Sequence, residues 1–141
     1  MGRSDASLAF ARSLGFQHVW RRDEVPELAF HAVVDASDSP SLPGLAVDHV
    51  EPGRRVVWIG LAGEPSLVDT RAVALKDVTV IGILGGSAGL AGAIDIFASR
   101  AVDPRPLVAA TVSLEETTDV LAGHRKPDWG QGPKLHVDPR R

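Results

Sequence analysis

The stretch HAVVDASDSPSLPGLAVDHVEPGRRVVWIGLAG (residues 31–63) decides the fold. Two near-continuous apolar runs, HAVVDAS and RRVVWIGLAG, end in small residues and enclose a short segment bounded by prolines and glycines. Neither run alternates with period two, so each is expected to be covered on both faces, the mark of a strand in a parallel sheet. The segment between them, SPSLPGLAVDHVEPG, then supplies a short helix.

The same grammar extends outward. DTRAVALKD (69–77) predicts a short helix, VTVIGIL (78–84) a third buried strand and LAGAIDIFASR (90–100) a helix. Upstream, SDASLAFARSLGF opens like a helix with Ser4 or Asp5 at the N-cap and Gly15 as its stop. QHVW (17–20) reads as a short strand, and Glu24 to Phe30 as a turn or short helix. Downstream, LVAATVSLEETTDVLAG reads as a strand into a helix, with Ser113 and Glu116 spaced as a capping box. HRKPDWGQGP is loop, and KLHVD a terminal strand. Strands alternating with helices give an α/β fold: a partial Rossmann-like parallel sheet with flanking helices. At 141 residues the expectation is one domain, spanning 1–141.

A net charge of −3 and the absence of a basic stripe argue against a nucleic-acid or acidic-membrane partner. No apolar stretch approaches the roughly 20 residues that span a bilayer, and MGRSDASLAF lacks the long uncharged core of a signal peptide. With no cysteine, disulfides, thiolate catalysis and cysteine-ligated zinc are excluded within this chain. No histidine pair has H-x-x-x-H spacing beside an acid, so no metal site is expected. A cytoplasmic protein fits these features.

The turn GGSAG (85–89) offers three chemistries. It matches G-x-S-x-G, which would make Ser87 a nucleophile, with Asp103 or Asp119 and then His124 or His136 following in hydrolase order. Such a match arises easily in a chain with 14 glycines. A P-loop fails because no G-K-[ST] follows, and nowhere do glycines stand at the spacing of a dinucleotide fingerprint. There remains a backbone that approaches a ligand at the carboxyl end of a parallel strand, where open α/β sheets bind their ligands. Asp35 is expected as a turn or capping acid, Trp58 as a residue packed in or over the sheet, and Trp20 and Trp129 as caps on hydrophobic surface.

The ordered series ARSLG, VVDAS, EPGRRVVWIG and G-x-L-G-G, closing on GPKLHVD, resembles the medium-chain dehydrogenase/reductase family, the zinc-type alcohol dehydrogenases. The resemblance runs from Arg3 to about Asp138 and falls on the second part of the cofactor domain plus the C-terminal tail. It implies an NAD(P)-dependent oxidoreductase that passes a hydride between a nicotinamide ring and a small alcohol or carbonyl compound. Gly2-Arg3-Ser4 falls where such enzymes read the adenosine ribose, and Arg3 there resembles the NADP type, its planar fork suiting a phosphate. Ser37 would line the cofactor cleft. Ile59, Gly60 and Leu61 would pass under the nicotinamide, Ile83, Leu84 and Gly85 would grip its carboxamide, and Lys134 would approach the pyrophosphate. Ser87 is then a bystander.

The same resemblance implies that the N-terminal catalytic domain, with any zinc and its ligands, and the first strand–helix unit have no counterpart here. With family strand order 3-2-1-4-5-6, the two absent strands would separate QHVW from HAVVDAS by roughly 14 Å. Either QHVW detaches or shifts, or HAVVDAS becomes a bare edge. The expected partners are a nicotinamide cofactor, and a homo-oligomer or a companion N-terminal chain. The isolated chain is expected to lack activity, and a non-catalytic remnant or edge-strand interaction module is the competing reading.

Overall fold

The computed structural model describes residues 1–27 and 29–141, with the side chain of Ser87 outside the description. The expected turn over Glu24 to Phe30 thus includes one residue, Leu28, outside the described set; its start is a single 3-10 turn at Arg22–Glu24. The chain divides into two compact units, Val25–Ala88 and a second composed of Met1–Glu24 with Gly89–Arg141.

In the first unit, β1 (Phe30–Asp35), α2 (Leu42–His49), β2 (Val50–Trp58), α3 (Thr70–Leu75) and β3 (Thr79–Gly82) follow in βαβαβ order. The three strands form one parallel sheet, β1-β2-β3. Register puts Val33, Val56 and Val80 in one row and Val34, Val57 and Ile81 in the next. Because successive strand residues face opposite ways, the rows lie on opposite faces. The first face is covered: Val56 packs with Ala46 and Val47 of α2, Val50 and Val78, and with Val33, Val80, Ala72 and Val73 around them. The second face is more open, although Val57 in the middle of its row is half-buried. Val34 is 61% exposed and Ile81 37%. The apolar runs were expected to be buried on both faces; the structure covers one, since α2 and α3 both serve the core side.

A lysine fastens the layers. Lys76 Nζ donates to the carbonyls of Val47 (3.0 Å), Asp48 (2.7 Å) and Val50 (3.4 Å), closing the C-terminal end of α2. Cations suit that end because its last carbonyls lack helical partners. β2 starts four residues before the expected RRVVWIGLAG, and Gly53 within it takes φ +71°, its amide donating to Lys76 O.

The second unit begins with α1 (Asp5–Ser13), where the expected cap is present. Ser4 Oγ accepts from Ser7 N, and Ser7 Oγ returns a bond to the Ser4 carbonyl. Gly15, at φ +92°, ends it with its amide on Arg12 O while Phe16 N reaches Ala11 O, a complete Schellman stop. QHVW is not a strand, contrary to expectation. A strand exists through its ladder, and among the described residues none pairs with this segment. Its conformation is held instead by Gly2 N on Trp20 O, by Arg12 on Val19 O and by His18 stacked on Trp20.

After α4 (Leu90–Ala98), β4 (Val108–Val112), α5 (Thr117–Leu121) and β5 (Lys134–Val137) complete this unit, with β4 and β5 parallel. The Ser113–Glu116 box forms: Ser113 N donates to Glu116 Oε2 at 2.9 Å and Glu116 N to Ser113 Oγ at 3.4 Å. The helix proper starts one turn later than the box suggests, at Thr117. Arg125 donates to the carbonyls of Gly130 and Gly132, shaping the loop before β5. Leu8 and Val112 are the most buried apolar side chains here, and α4 buries none of its residues.

Candidate functional site

The carboxyl ends of β1, β2 and β3 lie side by side in the parallel sheet, and seven of the sequence-derived site residues follow them. Asp35, the last residue of β1, organises the tips. Its carbonyl accepts from both Ile59 N (2.9 Å) and Gly60 N (3.0 Å), tying the end of β2 to β1. Its side chain, 8% exposed, accepts from Ser37 N at 3.0 Å. That Asx turn bends the chain sharply after β1 and fulfils the turn role expected of an acid at this place. Ser37 Oγ in turn accepts from Ser39 N at 3.3 Å.

Gly60 is where the backbones come closest. A Cβ there would stand 2.0 Å from Ser37 O and 2.5 Å from Ser37 N. Only glycine fits, since the obstacle is backbone and cannot swing aside. The third tip is joined by Ile83 N donating to Trp58 O at 2.9 Å. Beyond these ties the strand ends stand open: Leu61 is 72% exposed and Leu84 88%. The amides of Leu61, Leu84 and Gly85 make no backbone hydrogen bond among the described residues. Ser37, Ile59, Gly60, Leu61, Ile83, Leu84 and Gly85 thus share one end of one sheet, with open main-chain donors and small residues at its lip.

Arg3, Ser4 and Lys134 belong to the other unit. Arg3 is exposed and makes no ion pair among the described residues. The Ser4 hydroxyl is committed to capping α1. Lys134 opens β5 opposite Val108, its side chain exposed.

The acids and histidines of the competing triad belong to the other unit. Asp103 is held by a two-point bond from Arg105, at 2.8 and 2.7 Å, which keeps its pKa at about 2. Asp119 and His124 meet at 3.6 Å, but both are about three-quarters exposed, a surface pair. Ser87 as a nucleophile lies outside what is described. No group of three or more potential metal ligands occurs among the described residues, and no helix is long and apolar enough to cross a membrane.

The residue that sequence reading undervalued is Asp35, whose main chain and side chain together set the positions of Ser37, Ile59 and Gly60. Its signal was present in the small-residue ending VVDAS, where an acid follows an apolar run immediately before a serine.

No family model matches the chain. Among solved structures, a short chain alcohol dehydrogenase from E. coli CFT073 complexed with NADH superimposes with a TM-score of 0.77 at 20% identity, over 92% of this chain and 41% of that one. L-idonate 5-dehydrogenase from Escherichia coli K-12 gives 0.77 at 16% identity, over 95% of this chain and 40% of that one. A dehydrogenase of the zinc-binding kind from Sinorhizobium meliloti 1021, bound to NADP, gives 0.67 at 20% identity, over 82% and 33%. The likeness is one of fold. This chain has the parallel α/β architecture of part of an alcohol dehydrogenase and spans about two fifths of the first two chains' length.

Proposed function

We propose that this chain forms the nicotinamide-side floor of the NAD(P) site in an alcohol or carbonyl oxidoreductase. The observation that carries this reading is the strand-tip arrangement: Gly60 pressed on the Ser37 backbone beside the open ends of β2 and β3. A flat ring needs a surface from which side chains have been removed, and a carboxamide needs main-chain donors and acceptors close together. Gly60, pressed on the Ser37 backbone, draws the first two tips together with no side chain between them. The amides of Leu84 and Gly85, which make no backbone hydrogen bond among the described residues, would supply the second together with the carbonyls of the 59–61 segment. The residues present therefore fit the group.

Bound there, the nicotinamide supplies the hydride chemistry. This chain's residues position it: Ile59 and Ile83, 46% and 40% exposed, are available to cover its apolar edges and shed water. Ser37, fixed by the Asp35 turn, is assigned to line the cleft beside Gly60. Arg3 is assigned the 2′-phosphate of NADP, and Lys134 the pyrophosphate. The remaining part of such an enzyme would bring the substrate alcohol or carbonyl compound and any zinc.

The test is titration of the chain with NADPH and NADH, read by amide chemical shifts. Shifts concentrated at residues 59–61 and 83–85, with Arg3→Ala weakening NADPH more than NADH, are expected. Shifts confined elsewhere, or none at millimolar nucleotide, would overturn the assignment.

A further inference from the structure

We propose that Arg21 and Asp5 set the preference between NADPH and NADH, Arg21 by neutralising a carboxylate that would otherwise repel the 2′-phosphate. This rests on the assignment of Arg3 to that phosphate and adds two residues to it. The charges gather at the start of α1. Gly2 is pressed on the first turns of the helix: a Cβ there would stand 2.8 Å from Ser7 Oγ and 2.9 Å from Leu8 Cδ2. Its amide donates to Trp20 O at 3.0 Å. The stretch Gly2–Arg3 and the stretch Trp20–Arg21 are thus brought together beside α1, within one unit.

That place favours negative charge. The amides of Asp5 and Ala6 make no backbone hydrogen bond among the described residues, and the open amides of a first turn carry partial positive charge. Asp5, two residues past Arg3, already brings a carboxylate there. It steadies the helix and opposes a second anion. A phosphate monoester carries about −1.5 to −2 charge at neutral pH, so the opposition falls on NADPH. NADH has a hydroxyl at that position and offers no charge to repel.

Arg21 supplies the counter-charge. Its Nη2 bonds Asp5 Oδ1 across 16 residues of chain. The segment that carries it is fixed: Arg21 N donates to Glu24 Oε2 at 3.0 Å, and Arg12 Nη2 to Val19 O at 3.2 Å. Arg21 is 39% and Asp5 87% exposed, and an ion pair this open adds little to stability. Its effect is on the field at Arg3. With the pair intact, Arg3 meets a phosphate as a net cation. Without Arg21, the Asp5 charge offsets it.

The test is the ratio of NADPH to NADH affinity of the full chain, read by titration calorimetry. Arg21→Gln should lower the ratio about threefold or more, and Asp5→Asn should raise it by a similar factor, as one unit charge within a Debye length requires. Both changes should shrink at about 0.5 M salt. A loss of packing would weaken both nucleotides alike, so the ratio separates charge from structure. Arg3→Ala is the reference. If it lowers the ratio while neither Arg21→Gln nor Asp5→Asn moves it, this proposal is overturned and the Arg3 assignment stands. If Arg3→Ala leaves the ratio unchanged, or neither nucleotide binds, both fall. Shifts of the same sign from Arg21→Gln and Asp5→Asn also overturn the proposal.

Discussion

At Gly60 the missing side chain is itself the structural feature. A methyl group cannot be housed 2.0 Å from a main-chain oxygen, so Gly60→Ala must push β2 away from the 35–37 turn. A loss of about 1–3 kcal/mol is expected, read by chemical denaturation. The same substitution at Gly63, where nothing lies within 4 Å, is the control. The glycines of WIGLAG were visible as a pattern; which of them meets backbone depends on the turn that Asp35 makes, and no spacing encodes that. Acid sensitivity is also set residue by residue. Arg105 holds the Asp103 carboxyl at about 2 against an ordinary 3.8. Lys126 with the Ser113 amide lowers Glu116, and Arg140 lowers Asp138. A carboxyl whose pKa is lower folded than unfolded stabilises the fold fully above its unfolded value and loses that contribution as pH falls through its folded one. For Asp103 the window is therefore between about pH 4 and pH 2. All three are solvent-accessible to some degree, Asp138 least, and the effect is small. Carboxyl carbon shifts should show Asp103 titrating near the bottom of that range, and returning toward its ordinary value in Arg105→Gln.

Elements form here because their ends are closed as much as because their middles are apolar. Ser4→Ala removes the acceptor for Ser7 N and should cost about 1 kcal/mol. Lys76→Met keeps the stem but leaves three carbonyls at the end of α2 without their donor. A loss of about 1–2 kcal/mol is expected in the Val25–Ala88 unit, measured by hydrogen exchange in α2. The N-cap at Ser4, the stop at Gly15 and the box at Ser113 were all legible, since caps depend on residues a few positions apart. The bond from Lys76 was not, because it joins residues 26 to 29 apart in the chain. QHVW shows the converse limit. Its composition suits a strand, yet composition supplies no neighbour, and the segment settles around Val19 and a stacked His18–Trp20 pair instead.

For the whole molecule, the parallel character of the sheet was legible in the runs themselves, and βαβαβ order with α2 and α3 over one face is what they produced. That the second face would lie more open than the first was not written in those runs, which read the same whether one layer or two covers them. The physical outcome is a chain with much accessible apolar surface. Dyes that fluoresce on apolar surface should bind the native chain, and Val34→Lys should reduce that binding. If fluorescence is unchanged by that substitution, the Val34 row is not what the dye meets.

The last helix before β4 has a consequence of its own. Leu90, Ile94 and Phe97 recur along α4 at the spacing of a helix that seats itself on something, yet each is at least half exposed. Nine residues are too few to hold a helix by their own peptide bonds in water. Its backbone protons should therefore trade with deuterium almost as fast as those of a free peptide, while those of β2 endure. Arg100, at φ +59° just past its end, offers trypsin a ready place to cut. Whatever shelters that scissile bond will have identified itself as the helix's missing seat.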